Sequence, residues 1–416
     1  MIRNSALAAA LLAAFAHAAP ARAQDTLPPP DTLPAIRPDT LPKALDGRAD
    51  AAGPRVCAGG DVTLGTNLDT GWVHTAAGRL GRRVDALPSP DSLLSPLRPL
   101  LTDADVVLLN VEGAIGEGPP ARRKCAPGST SCFAFRSPVA AAGALRRVGG
   151  EAQVVGNVAN NHARDAGDPG WRATARHLRD AGVHVTGMDT VPTLVALPSG
   201  DTIAFLGYSA WAGPKVSDLA ALRRHVARAA ERHRYVVVTF HAGAEGSRAV
   251  RTPDAVEVAF GEDRGNSPAF ARAAVAAGAD VVFGHGPHVM RGAQWIGDAL
   301  VFYSLGNLVT YGPFSFGEPL NRGAIACADL DPAGGVAAAE LRSTRQRAPG
   351  IVGIDSTHAA ARQLAELSRL DFPTAAPAVS PTGTITRPGG GDPAGRPTVA
   401  PRRHEQRRQE PRRRVP

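Results

Sequence analysis

Five short apolar runs in this sequence each stop at residues that are costly to bury alone. Asp61 follows "VCAGG", Glu112 follows "VVLLNV", and Asn160, Asn161 and His162 follow "VVGNVA". His241 follows "YVVVTF", with Glu245 four residues on, and His285 and His288 follow "ADVVF" within "GHGPHV". Runs of this length, rich in Val and bounded by Gly, read as buried strands, with "VHVTGM" at 183–188 a sixth. Helix-like segments alternate with them: "DSLLSPLRPLL", "PVAAAGALRRVGG", "WRATARHLRDAG", "KVSDLAALRRHVARAAERH" and "NSPAFARAAVAAGA". The Ala-Gly and Gly-Gly endings suit helix C-caps. Hairpins interrupt the alternation, with turns at Gly200-Asp201, at Gly297-Asp298 and across Asp331–Gly335. The pattern predicts an α/β fold with mixed sheets and helices outside them.

In such a sheet the strand C-termini share one edge, and ligands bind there. One strand ending in His is ordinarily a capped core histidine. Five ends bringing carboxylate, amide and imidazole describe a site for one or two divalent transition metals. Gly59, Gly60, Gly113, Gly243, Gly284 and Gly286 flank these ends and are expected to let the backbone turn sharply.

The ends of the chain read differently. "MIRNSALAAALLAAFAHAAPARAQ" has a positive start, a short apolar core and a small-x-small site before Gln24, the layout of a signal peptide over 1–23, with an uncleaved anchor as the competing reading. An exported protein of the periplasm, envelope or medium follows, with no transmembrane segment in the mature chain. Residues 24–54 repeat DTLP and read as a Pro-rich linker, leaving 55–372 as one large domain. From Pro373 a basic, disordered tail is expected; it holds nine arginines against Asp392, Glu405 and Glu410, so +6 of the formal +8 resides there. It suits an anionic polymer or lipid, or simple solvation. It lacks the interleaved aromatics that nucleic-acid binding would use. Cys125 and Cys132 in "KCAPGSTSC" are expected to form a local disulfide; Cys57 and Cys327, in apolar runs, read as buried thiols rather than a zinc pair, and a second disulfide between them is not readable from sequence.

"GGDVTLG", "NVEG", "NNHARDAG", "HAGAE", "GHGPHV" and "YSLGN" occur in the order seen in the CapA family of poly-γ-glutamate capsule proteins, a group of the calcineurin-like metallophosphoesterases. This resemblance, over about 55–345, implies a four-layer αββα sandwich with two divalent ions (Mn, Fe or Zn). It implies Asp61, Glu112, Asn161, His241, His285 and His288 as ligands and His162 as the residue that assists the leaving oxygen. Asp165, Glu245, Arg291 and Asn307 are substrate-binding or supporting candidates. Asp165 either orients His162 or bonds the next turn; Arg291 either grips a phosphate or carboxylate or is a surface residue. Asn160 reads as a turn residue. Three positions depart from the pattern: Thr63 stands where a histidine is usual, Ala242 where a tryptophan is usual, and Arg291 where glutamine is common.

Three functions fit these residues: a phosphoester hydrolase, a component of capsule polymer synthesis or export that binds an anionic substrate or polymer beside other synthesis machinery, and a metal-free binding fold. The absence of a GxxxxGK[ST] pattern leaves ATP-driven ligation to another protein.

Overall fold

The computed structural model describes residues 53–64, 88–116, 133–312 and 314–388. The expected signal peptide, the linker up to Ala52, the Cys125–Cys132 pair and the Arg-rich stretch after 388 lie outside the described residues.

One sheet contains β1 (Arg55–Thr63), β2 (Val106–Val111), β5 (Gln153–Asn157), β6 (His184–Thr186), β15 (Asn307–Thr310), β16 (Arg322–Leu330), β17 (Val336–Arg347), β18 (Ile351–Ile354), β19 (Ala378–Val379) and β20 (Thr384–Thr386). Its path is β19-β20-β17-β16-β1-β2-β5-β6, with β15 on β1 and β18 on β17. The other sheet contains β7 (Thr193–Ala196), β8 (Thr202–Ser209), β9 (Tyr235–His241), β12 (Val281–His285), β13 (Ala293–Ile296) and β14 (Ala299–Phe302), ordered β13-β14-β12-β9-β8-β7. Two short ribbons stand apart: β3 (Ala114–Ile115) with β4 (Arg136–Ser137), and β10 (Val258–Ala259) with β11 (Glu262–Asp263).

Strands β1, β2, β5 and β6 run parallel, as do β8, β9, β12 and β14. Parallel neighbours need crossovers, and helices supply them. α1 (Pro90–Leu94), α2 (Ala140–Val148) and α3 (Gly167–Asp180) connect the first set; α4 (Leu219–Arg232) and α5 (Ser267–Ala276) connect the second. Asp218 and Asn266 cap α4 and α5 by accepting from Ala221 N–H and Ala269 N–H. After α1 the predicted helix tightens into a 3-10 turn over Ser95–Leu100, because Pro96 and Pro99 cannot donate to a longer ladder. A sixth helix, α6 (Ala359–Asp371), buries Ala360, Ala361 and Leu364 in the core between the sheets.

Alternation sorts the strand residues into layers. Val56, Ala58, Val106, Leu108 and Val155 meet Phe205, Val237, Val281, Phe283 and Phe302 between the two sheets. The opposite-parity residues Cys57, Val107, Leu109 and Val154 pack on Leu93, Leu145, Trp171 and Leu178 of the first helix set. Leu206, Val236, Val238 and Val282 pack on Leu222, Val226, Phe270 and Ala274 of the second. Each such side chain contributes about 1.5–3 kcal/mol relative to exposure. The architecture is helices, sheet, sheet, helices, as the metallophosphoesterase resemblance implies.

Two expectations need correction. Cys57 and Cys327 are not free thiols: they face each other across the antiparallel β1–β16 pair and form a disulfide, with Cα atoms 4.0 Å apart. Nor does the fold end at Pro373. β19 and β20 extend the first sheet along β17, Ile385 enters the interlayer core, and Arg387 stacks over Trp295 at 4.3 Å. Strands of two or three residues have no readable period, so the Pro- and Thr-rich composition hid them.

The disulfide closes a sequence separation of 270 residues. Replacing both cysteines by Ala is expected to lower stability by about 2–5 kcal/mol, read as a lower urea midpoint at unchanged far-ultraviolet circular dichroism. An unchanged midpoint under non-reducing conditions would show that the bond does not form.

Candidate metal centre

The interlayer face of each parallel strand is apolar until its last position. In β2 it runs Val106, Leu108, Asn110; in β5, Val155, Asn157; in β9, Tyr235, Val237, Thr239, His241; in β12, Val281, Phe283, His285. Register aligns these last residues in two rows, Asn157–Asn110–Asp61–Asn307 in the first sheet and Ser209–His241–His285 in the second. β1 reaches the row only through an irregularity between Ala58 and Asp61, which shifts the alternation and turns Asp61 toward the other sheet. Gly60 permits it by close approach rather than by a special φ: a Cβ there would lie 2.1 Å from the Gly306 carbonyl oxygen.

The rows meet. Asn110 Nδ2 donates to Asp61 Oδ1 at 2.8 Å and lies 3.0 Å from His241 Nδ1. Asn157 Nδ2 in turn donates to Asn110 Oδ1 at 3.0 Å. His285 Nδ1 stands 3.7 Å and His241 Nδ1 3.8 Å from Asp61 Oδ1, and His241 Nε2 stands 3.9 Å from Glu112 Oε1. His288 is the hub. Its Nδ1 lies 3.0 Å from Asp61 Oδ2 and 3.1 Å from Asn307 Oδ1; its Nε2 lies 3.4 Å from Glu112 Oε1 and 3.3 Å from Glu245 Oε2. Its backbone is left-handed, φ 59°, which costs a non-glycine residue about 1–2 kcal/mol. Gly286 makes that turn feasible: at φ 115° its absent Cβ would sit 2.8 Å from the Ala242 carbonyl oxygen.

Electrostatics follow from burial. Burial pushes His241 down to about 3 and His285 down to about 4, so both rings are neutral at pH 7. Burial opposes a charge on His288 as well, but Glu112, Asp61 and Glu245 outweigh it and hold that imidazole well above its ordinary value. Burial would raise Asp61; the His288 hydrogen bond and the three nearby histidines hold it well below the usual carboxylate range. Glu245, likewise opposed by burial, is drawn down to about 2, chiefly by His288.

The remaining predicted residues divide. Asp165 combines its two readings in altered form: Oδ2 lies 2.6 Å from His162 Nδ1 and accepts from Phe135 N–H at 2.6 Å, so the backbone it bonds belongs to another segment. The Phe135 ring packs on His162 at 4.1 Å, and His162 Nε2 lies 3.9 Å from Glu112 Oε1. Asn161 is half-buried in the turn ahead of His162. Asn160 is more than a turn residue: its side chain donates to Val111 O at 2.9 Å and accepts from His162 N–H at 3.1 Å, tying β2 to that turn. Thr63 spends its hydroxyl on Glu112 O at 3.2 Å.

Arg291 is neither a surface residue nor a ligand-binding one. It is fully buried, forms two 2.8 Å hydrogen bonds to Glu257 and donates to Ala249 O and Ala244 O. A buried guanidinium requires such a set, and none of its chain partners is a candidate ligand. Residues outside the predicted list also matter here. Asn110 and Asn157 join the rows, and their signal was an amide within an otherwise apolar strand. Trp211, from the loop after β8, stands edge-on to His241 at 5.6 Å, beside the small Ala242.

Asp61, Glu112 and His288 each offer a donor atom within 4.8 Å of the other two. Among the described residues both ring nitrogens of His285 and the Nε2 of His241 are buried without a hydrogen-bond partner. Buried imidazole nitrogens and carboxylates in one cluster are the donor set of a divalent transition metal, so these residues fit one.

Comparison with known proteins agrees with this geometry. Residues 55–311 match the family described as bacterial capsule synthesis protein PGA_cap, which belongs to the metallophosphoesterase-like superfamily. The capsule biosynthesis protein CapA of Bacillus anthracis is 26% identical over 163 residues, 37% of this chain and 39% of that relative's length. The solved structure described as GAP50, the anchor in the inner membrane complex of Plasmodium, is 10% identical with a TM-score of 0.34, covering 76% of this chain and 96% of its own; a likeness that low carries no argument. With 55–311 of its 416 residues matched, the chain belongs to the CapA-like bacterial capsule synthesis family.

Proposed function

We propose that this chain is an exported, metal-dependent hydrolase of phosphate esters that acts on an anionic substrate of the cell envelope, alongside the capsule synthesis machinery. One observation carries the reading: Asp61, Glu112 and His288, from three separate segments, converge within 4.8 Å next to buried imidazoles of His241 and His285 that lack hydrogen-bond partners. Asp61, Glu112, Asn161, His241, His285 and His288 would hold one or two ions of the Mn, Fe or Zn type. Bound there, the ions would polarise a phosphoryl oxygen and supply an activated water at neutral pH. Thr63, its hydroxyl engaged by Glu112 O, leaves one position with fewer imidazole ligands than the superfamily pattern.

The chain's own residues do the rest. His162 stands with Nε2 toward Glu112 and Nδ1 on Asp165, so Asp165 fixes the ring and favours a proton on Nδ1 or on both nitrogens. That arrangement suits proton donation from Nε2 to a leaving oxygen. Asn110 and Asn157 keep Asp61 and His241 in register as the substrate binds. No helix among the described residues is long and apolar enough to cross a membrane, which is compatible with export.

A second reading, polyanion binding without hydrolysis, is favoured by the Arg-rich sequence after residue 388. Deleting 389–416 should then weaken retention on poly-γ-glutamate and flatten its salt dependence; unchanged retention would remove that role.

Metal content of the purified protein, beside an Asn161→Ala, His285→Ala variant, tests the main reading. One or two equivalents lost in the variant are expected; no uptake of Mn²⁺, Fe²⁺ or Zn²⁺ by the unaltered chain would end it. In a metal-loaded assay with bis(p-nitrophenyl) phosphate, His162→Ala should keep its metal and lose roughly 10²–10⁴ in turnover. Asp165→Asn should lower kcat less and shift its pH profile; wild-type turnover in both variants would remove the acid role.

A further inference from the structure

We infer that Arg264 is an anion-recognition residue of this site, and that the substrate carries a second carboxylate or phosphate group beyond the one destined for the metal centre. This rests on the hydrolase reading for calling the ligand a substrate, but not for the anion binding itself.

Arg264 closes the small hairpin of β10 and β11. Its backbone pairs with Glu257 at 2.8 Å and with Gly243 at 2.8 Å, which fixes the hairpin against the loop that carries Glu245. The guanidinium is held between two aromatic rings, 4.5 Å from the Trp211 centroid and 5.6 Å from that of Phe260. Nη2 reaches Glu262 at 3.1 Å and Glu245 at 3.5 Å, and Trp211 Nε1 donates to the same Glu262 oxygen at 3.0 Å. The side chain is only 3% exposed, yet among the described residues Nε and Nη1 have no hydrogen-bond acceptor. Guanidinium donors are among the groups least tolerant of burial without acceptors.

The location ties this cation to the metal centre. Trp211, on one face of the guanidinium, is the ring that stands against His241; Glu245, at its Nη2, is the carboxylate that meets His288. On the solvent side lies Phe260, 75% exposed and left-handed at φ 53°, next to Gly261 at φ 76°. Both central residues of this two-residue turn therefore have positive φ, where Asn or Gly is the usual choice at the first position. A phenylalanine kept there, with its ring above the guanidinium and little other burial, makes sense as a cover that a ligand displaces. Oxygen acceptors of a carboxylate or phosphate would complete the Nε and Nη1 donors, as arginine does in oxyanion sites generally.

The test is calorimetric titration of the full chain in chelator, so that no metal contributes, with inorganic phosphate and separately with glutarate. Binding of one oxyanion is expected, at least tenfold weaker in Arg264→Gln and partly restored in Arg264→Lys; the probe that binds identifies phosphate or carboxylate as the group read. Phe260→Gly keeps the guanidinium and relieves the left-handed turn, so it should bind the same probe faster, and it serves if Arg264→Gln does not fold. No binding of either probe, or equal binding with and without the guanidinium, overturns the inference and leaves buried water as the acceptor. Arg264-dependent binding in a chain that hydrolyses nothing would keep the anion site and remove the hydrolase reading. Hydrolysis without such binding would do the reverse.

Discussion

The fully buried carboxylate of Asp61 is the constraint around which this molecule is arranged. Removing an ionised carboxylate from water costs several kcal/mol unless charges and donors surround it. Here they do: Asn110 donates to one oxygen, His288 approaches the other at 3.0 Å, and the Gly286 N–H points at it from 3.4 Å. Each of those groups is itself placed by a strand end or a turn after one. The bulge in β1, the left-handed backbone of His288 and the close passage of Gly60 under Gly306 are local costs accepted so that one carboxylate can sit between two sheets.

Two polar rows facing one another also explain why the site is rigid. Asn157, Asn110 and Asp61 are neighbours through backbone pairing, and so are His241 and His285, so their spacing is set by sheet geometry rather than by loop conformation. Only His162, Glu245 and His288 come from connecting segments. At the far end of β1 a separate ion-pair cluster, Arg55 with Asp329, Asp103 and Glu340, pins the same strand. The strand carrying Asp61 is thus held by charge at one end and by the candidate centre at the other.

Much of this was legible in the sequence because it is local. The hairpin turns at Gly200-Asp201 and Gly297-Asp298 and the parallel strands with their helices follow from short-range patterns, and the ligand-type residues at strand ends follow from the same runs. What escaped was set by pairing at long range. Cys57 meets Cys327, Trp211 meets His241, and Arg291 meets Glu257 only through the tertiary fold. Asn110 and Asn157 lay in plain view inside apolar strands, but their purpose depends on register with β1, which no single segment encodes. The edge strands β19 and β20 are too short for any periodic signal, and α6 lies outside the strand–helix alternation.

The position of β1 in its sheet carries a consequence for how the chain comes to be folded. Its neighbours are β2, close in sequence, and β16 and β15, made only near the end of synthesis. Until residues 307–330 emerge, β1 presents an open, apolar edge, and the Asp61 carboxylate has neither His285 nor His288 to offset it. Contacts of such high sequence separation are slow to form and favour late, concerted closure of the fold. The nascent chain is therefore expected to stay loosely structured for most of its synthesis and to acquire its central strand pairings, its disulfide and its candidate centre together, as one terminal event.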